Sequence, residues 1–423
     1  MAHLVPNKVG LRSGHGRLAT RAGQSVVVRW SEPEGEAVGA KILSQVSPRE
    51  DPGLISRRHR CRQLRDAANR LDTTIGWTHD DRVRFREERD IWSDLRGTRY
   101  APPGEAGKDD RRRATYVSAL QQAEELFRAA GSVGPASSPL LLFYGLSQAG
   151  RAVAAAAVTA QSDGWVLKGH GIKARQLTAP LPDITVVADP PSGEGSFVRL
   201  SLILDSPLWT TTEAPALHKL WDLLPELQEK PLRSDDSRRA PLHAMPYSPH
   251  EGHQLVGAQI SGLPSWLSRI DVTRADFDAF MESYPSAAGY TVVVRQDGVP
   301  QYERDFNADT VGVVMHWKAG PTYPVPEEVR SQRLDAALTV YREGGYWLFP
   351  ATIPGKRPLH PMMSWWAVLY ALSMLARYQP AEWAACIDIN TSPYANSVEY
   401  LLEEARTTVP DLIRTALGQV VSL

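Results

Sequence analysis

Residues 139–158 form an almost wholly apolar run, with Ser147, Gln148 and Arg151 its only strongly polar side chains. A run of this length has two readings. As strand, turn and helix it imitates a serine-hydrolase elbow, with Gly145-Leu-Ser-Gln-Ala149 a relaxed form of G-x-S-x-G. As one continuous helix it sets Tyr144, Ser147, Gln148 and Arg151 on one stripe of a buried rod, because residues three and four apart share a helix face. The helix is the favoured reading: Ser138 can cap it, and Pro139 suits a first turn whose N–H groups have no partner within the helix. A guanidinium in such a position needs acceptors, since an unpaired buried charge costs about 3–5 kcal/mol. The spacing favours a carboxylate from a neighbouring helix, and the alternative is a polar stripe lining a pocket.

The run is long enough for a bilayer, but Arg151 and Gln148 near its centre are costly in hydrocarbon, so no membrane span is expected. Two cysteines, Cys61 and Cys386, lie far apart in the 423-residue chain and match no metal-ligand spacing. Neither a Walker loop nor a dinucleotide glycine fingerprint is present, so no cofactor is expected. Residues 1–23 carry no apolar core of a signal peptide, and a reducing, cytoplasmic setting fits best. The net charge of −1 conceals an asymmetry: residues 1–113 hold 23 Lys+Arg against 16 Asp+Glu, a balance of +7, offset by −8 in the remainder. Arginine forks suit phosphates, although interleaved carboxylates also suit a solvated helix surface.

Along the chain, four parts are expected: an Arg-rich extension over 1–90, a helical hairpin or bundle over 91–180, a mixed region with antiparallel hairpins over 181–355, and C-terminal helices over 356–423 that pack on the bundle. Within the first part, 24–30 reads as a lone strand in an opening segment that is a loose extension or an appended hairpin, and Leu64, Ala67, Ala68 and Leu71 form a helical stripe. Asp109 to Ala130 is a helix on the spacing of Tyr116, Leu120, Ala123, Leu126 and Phe127, with Glu124 on the opposite, polar side. It pairs with 139–160 as an antiparallel hairpin. Residues 164–175 read as loop, 184–188 and 196–204 as strands, 214–227 as a short helix, and 231–253 as an exposed connection. A helix at 273–282 precedes a hairpin over 290–302 with an Asp-Gly turn, then strands at 311–317 and 337–349. Helices follow at 361–378, 380–387 and 397–417, the last interrupted at Pro410. The fold class is α+β, predominantly α-helical, with a helical bundle built from the N- and C-terminal parts around a central antiparallel β region.

The candidate catalytic residues are Arg151 and His170, the latter presented between glycines in Lys168-Gly-His-Gly-Ile-Lys173. Tyr144 and Gln148 share the stripe of Arg151 as candidate ligand-binding groups. Arg357 and His360, placed before an apolar helix whose N-terminus can attract an anion, are a further candidate pair. A structural cap is the simpler account of them. No metal site is expected.

Several stretches together resemble the bacterial YaaC-like family: Ala119 to Ala130, Pro139 to Ala157 with Phe-Tyr-Gly-Leu and Gly-Arg-Ala, Gly169-His-Gly-Ile172, His360-Pro-Met-Met363, Tyr370 to Tyr378 and Pro380 to Trp383. The likeness covers about residues 90–420 and implies a cytoplasmic, helix-rich protein rather than a particular reaction. Fainter is a similarity to HEPN-type helical domains, in the central helix followed by Gly-His-Gly-Ile. That similarity implies an RNA-associated protein, a nuclease or a binding partner in a stress or defence system, with Arg151 and His170 as its residues. Active HEPN domains place an Arg a few residues before a His. Arg238 and His243 have that spacing, but Pro241 breaks the helix such a motif needs. Two alternatives stand beside this reading: a serine hydrolase using Ser147, and a non-enzymatic scaffold that binds a partner protein.

Overall fold

The computed structural model describes the backbone of two short strands near the N-terminus and residues 91–423, except 248–253, 306–308, 322, 343–344, 354 and 423. The chain divides into two compact units, Met1–Gly76 and Trp77–Leu423. In the first, β1 (Gly16–Ala19) and β2 (Ser25–Val28) pair antiparallel, so the strand read over 24–30 is one arm of a hairpin. The helical stripe from Leu64 to Leu71 lies outside the described residues.

The second unit opens with helix α1 (91–100), which buries Ile91 and Leu95 one turn apart. Helix α2 (Asp110–Ala130) starts where the Asp109 carboxylate accepts the Arg112 N–H at 2.8 Å, and it buries Tyr116, Leu120, Ala123 and Phe127 as its periodicity requires. Glu124 departs from the expected polar face. Helix α1 covers it, and Arg96, Arg99 and Arg128 surround its carboxylate at 3.5, 3.7 and 2.5 Å. Helix α3 (Ser138–Ala156) is unbroken, so the apolar run is a helix and not an elbow. Ser138 is its first residue rather than its cap, and Ser137 stands at the cap position without a side-chain hydrogen bond.

Two glycines set how closely the neighbours of α3 approach. A Cβ on Gly145 would stand 2.7 Å from Phe127 of α2, and one on Gly150 would stand 2.6 Å from Trp366. At the other end of the hairpin the buried Arg112 donates to the carbonyls of Ala157, at 3.0 Å, and Ala160, beside the end of α3. A cation there complements the negative end of the helix dipole.

After α3 the chain forms the antiparallel pair β3 (Ile172–Arg175) and β4 (Thr185–Ala188), so strand begins inside the segment read as loop. Residues 196–204, read as a strand, instead form helix α4 (Ser196–Ile203). Phe197, Leu200 and Ile203 are buried three residues apart while Leu202 is exposed, a helical rather than an alternating pattern. A short helix α5 (Leu217–Trp221) follows.

Seven strands make one antiparallel sheet, ordered β10-β11-β5-β6-β9-β7 with β8 also on β9. They are β5 (Leu242–Tyr247), β6 (Leu255–Pro264), β7 (Tyr290–Val292), β8 (Glu303–Arg304), β9 (Thr310–Lys318), β10 (Thr339–Tyr341) and β11 (Gly345–Leu348). Strand β5 replaces part of the exposed connection read over 231–253, for Leu242 and Ala244 alternate into a core; residues 248–253 of that reading lie outside the described residues. The sequence reading also missed β6 and a helix, α7 (Glu327–Ala337), whose flank is mostly polar. Helix α6 (Arg274–Met281), started by a capping box between Thr273 and Asp276, buries Phe277, Phe280 and Met281 with Ile260, Val313, Met315 and Trp317 of the sheet. The Asp-Gly turn after β7 forms as read, with Gly298 at φ +82 and Arg295 N–H bonded to the Val299 carbonyl at 2.9 Å.

The last three helices are α8 (Pro361–Tyr378), α9 (Pro380–Ile387) and α10 (Ala395–Ser422). Helix α10 runs through Pro410 without the expected interruption. The proline removes one N–H, yet Ala405, Val409, Leu412 and Ile413 bury the same stretch in the helical core, and their packing keeps the helix. Helices α2, α8 and α10 all pack on α3, so the bundle unites elements from both ends of this unit. The result is α+β and helix-rich.

Candidate functional site

Helices α3 and α8 run antiparallel, which brings the start of one to the end of the other. Phe143 lies against Tyr370 with centroids 5.2 Å apart, and Arg377, in the last turn of α8, donates from Nη1 to the Tyr144 hydroxyl at 2.9 Å. Into this corner the loop after α3 delivers His170. Its flanking Gly169 and Gly171 have φ of +57 and +71, a backbone shape glycine adopts at little cost. Gly171 also abuts Gly195, where an added Cβ would stand 2.8 Å away, and the His170 carbonyl accepts the Phe197 N–H at 2.9 Å. The His170 ring then rests on Phe143 and Tyr370, at 5.6 and 5.5 Å between centroids.

Arg151 is half-buried on the same face of α3. Its Nη1 donates to the Ser147 carbonyl at 3.2 Å, the Ser147 hydroxyl at 3.1 Å and Gln148 Oε1 at 3.4 Å, all on its own helix. The expected carboxylate from a neighbouring helix does not materialise: among the described residues none stands within ion-pair distance of Arg151. Burial lowers its pKa below the usual guanidinium range. His170 is lowered too, first by burial and then by the charges of Arg151 and Arg377, all of which disfavour its protonated form. Burial, with Tyr378, Asp189 and Tyr144 nearby, pushes Tyr370 up to about 12. Asp189 is itself engaged by Lys173 at 3.0 Å.

Four of the sequence candidates, Tyr144, Gln148, Arg151 and His170, therefore meet in one corner. Arg357 and His360 do not join them. They sit at the opposite end of α8, an 18-residue helix about 27 Å long. Arg357 pairs with Asp205, Nη2 to Oδ1 at 2.6 Å, and His360 caps α8, its Nδ1 accepting the Met362 N–H at 3.2 Å while Nε2 donates to Gln419 at 2.8 Å. Both side chains make their hydrogen bonds within the protein. The sequence reading missed Arg377, Tyr370 and Tyr378; the signal lay in the spacing of Tyr370 and Arg377, two helical turns apart at the end of an otherwise apolar helix.

Ser147 is buried, at 5% exposure, on an unbroken helix with its hydroxyl accepting from Arg151. The sharp turn that exposes a nucleophile is absent there. Arg238 and His243 have no helix in common: Arg238 bonds Asp222 at 2.8 Å, and His243 is the second residue of β5. Both line a separate open cleft of ≈ 1130 Å³ at the end of the sheet, with Trp266, Phe280 and Tyr284.

The guanidinium groups of Arg151 and Arg377, the imidazole of His170 and the rings of Phe143 and Tyr370 thus belong to one region of a helix-rich α+β protein, where α3, α8 and the loop after α3 meet. The chain belongs to the YaaC-like protein family, whose model matches residues 97–417. No curated protein and no solved structure matches it. Among the described residues, no helix is long and apolar enough to cross a membrane.

Proposed function

We propose that this protein is RNA-associated and that the corner formed by Arg151, His170 and Arg377 receives a phosphate of the RNA. The observation that carries the reading is Arg151. Among the described residues this half-buried guanidinium is bonded only to neutral groups of its own helix, through Nη1, which leaves its charge uncompensated and its Nε and Nη2 to face an anion, and phosphate oxygens suit that fork. Arg377 adds a second cation at the rim. An anion beside His170 offsets the burial and the neighbouring cations that disfavour its protonated form.

The test is incubation of the purified protein with total RNA, beside Arg151→Ala and His170→Ala variants whose helicity is checked by circular dichroism. Retention of RNA by the wild type, weakened about tenfold in folded Arg151→Ala, is expected for one charge-assisted contact. Loss of cleavage in folded His170→Ala would extend the reading to a nuclease with that imidazole as general base. Absence of both retention and cleavage would overturn the RNA reading.

A further inference from the structure

The phosphate reading concerns two cations, yet the same corner is built largely of rings. Phe143, His170 and Tyr370 form a contiguous cluster, with Phe143 and Tyr370 buried beneath the half-buried imidazole. Beside it, Tyr378 at the last position of α8 is 57% exposed, its ring 5.1 Å from the Arg377 guanidinium carbon. An exposed tyrosine on a helix end that the core does not require leaves a ring face available next to a phosphate-binding cation. Arg377 thus has two neighbours, the hydroxyl of Tyr144 and the ring of Tyr378, and its charge and that of Arg151 both act on His170.

Resting on the phosphate reading above, we infer that the site takes an unpaired nucleotide of single-stranded RNA, with a phosphate between Arg151 and Arg377 and the adjoining base stacked on Tyr378. Duplex RNA keeps its bases stacked inside the helix and offers a protein its backbone and minor groove, so an aromatic platform beside a phosphate site contributes only when the base is splayed out. Each stacked base is worth enough to change affinity by about tenfold or more. The pairing of Arg377 with Tyr378 also lets a base sandwich the tyrosine against the guanidinium plane, a geometry that tolerates any base.

The experiment compares a short fluorescein-labelled single-stranded RNA with the same strand annealed to its complement, by fluorescence anisotropy on the full chain. Wild type, Tyr378→Ala and Tyr378→Phe are measured, with thermal melting as the check on folding. The inference expects single strand bound at least about tenfold tighter than duplex, a loss of about tenfold in Tyr378→Ala, and retention of affinity in Tyr378→Phe, which keeps the ring. Equal binding of the two RNAs with no effect of Tyr378→Ala would overturn the stacking inference while leaving the phosphate site standing. Failure of the wild type to bind either RNA would overturn the phosphate reading and this inference with it.

Discussion

Arg377 and Tyr144, separated by 233 residues in sequence, are joined by a hydrogen bond of 2.9 Å between the end of α8 and the start of α3. The bond holds the Arg377 guanidinium, the second cation of the proposed phosphate site, so its loss should be felt in binding more than in stability. Tyr144→Phe removes the hydroxyl and keeps the ring. RNA affinity should fall a fewfold, while the melting temperature stays within the shift expected of about 0.5–1.5 kcal/mol. Parallel anisotropy and thermal-melting measurements on the variant check both parts.

The glycines of α3 are packing devices, and their replacement should be costly despite the better helix propensity of alanine. In Gly150→Ala the new methyl meets Trp366 Cζ3 at 2.6 Å, a rigid ring fully buried in the core. A net destabilisation of about 1–3 kcal/mol is expected. Gly418, inside α10 with nothing within 4 Å of an added Cβ, provides the opposite case. Gly418→Ala should stabilise by about 0.5–1 kcal/mol, and urea melts of the two variants give the comparison.

His170 should give the pocket a pH dependence with a defined sign. Its pKa in the folded chain lies below the ordinary histidine value of about 6.5, so the fold favours the neutral ring. The stability this contributes is complete above that ordinary value and is lost as the pH falls below it toward the folded pKa. A bound phosphate raises the pKa again, so RNA affinity should increase as the pH falls from about 8 to 6. His170→Gln, which cannot titrate, should flatten that increase, and anisotropy across the pH range will show whether it does.

Arg357 and His360 should prove irrelevant to binding. The Arg357–Asp205 pair is largely exposed, at 66% and 78% of the side chains, so Arg357→Ala should cost no more than about 0.5 kcal/mol. His360→Ala removes the cap of α8 and should cost about 1 kcal/mol. Unchanged RNA affinity in both folded variants is the expected outcome. A loss in either would place the ligand at the wrong end of α8.

The helical hairpin was legible in the sequence because its signals are local. Asp109 caps its helix from the adjacent residue, Pro139 permits a first turn, and the recurrence of Tyr116, Leu120, Ala123 and Phe127 needs no knowledge of what they meet. Segment 196–204 failed because a short apolar run carries little information about period, and contact with α3 beneath Gly150 settles it as a helix. Strand β5 was hidden by the Pro, Arg and Ser residues before it, which read as surface until β6 and β11 supply hydrogen-bond partners on both sides. Glu124 was assigned to solvent because nothing in α2 reveals that α1 lies over it.

By itself the sequence determined the helix-rich α+β class, the continuity of α3 and the sharing of one face by Tyr144, Gln148 and Arg151, for each follows from period and capping within one segment. Only the tertiary structure decided that no carboxylate among the described residues answers Arg151, that His170 rests on Phe143 and Tyr370 and Arg377 on Tyr144, and that Arg357 and His360 stand at the far end of α8. Ion pairing and pocket formation depend on groups brought close by packing across the chain, and the distance between two side chains so remote in sequence is written in no local pattern.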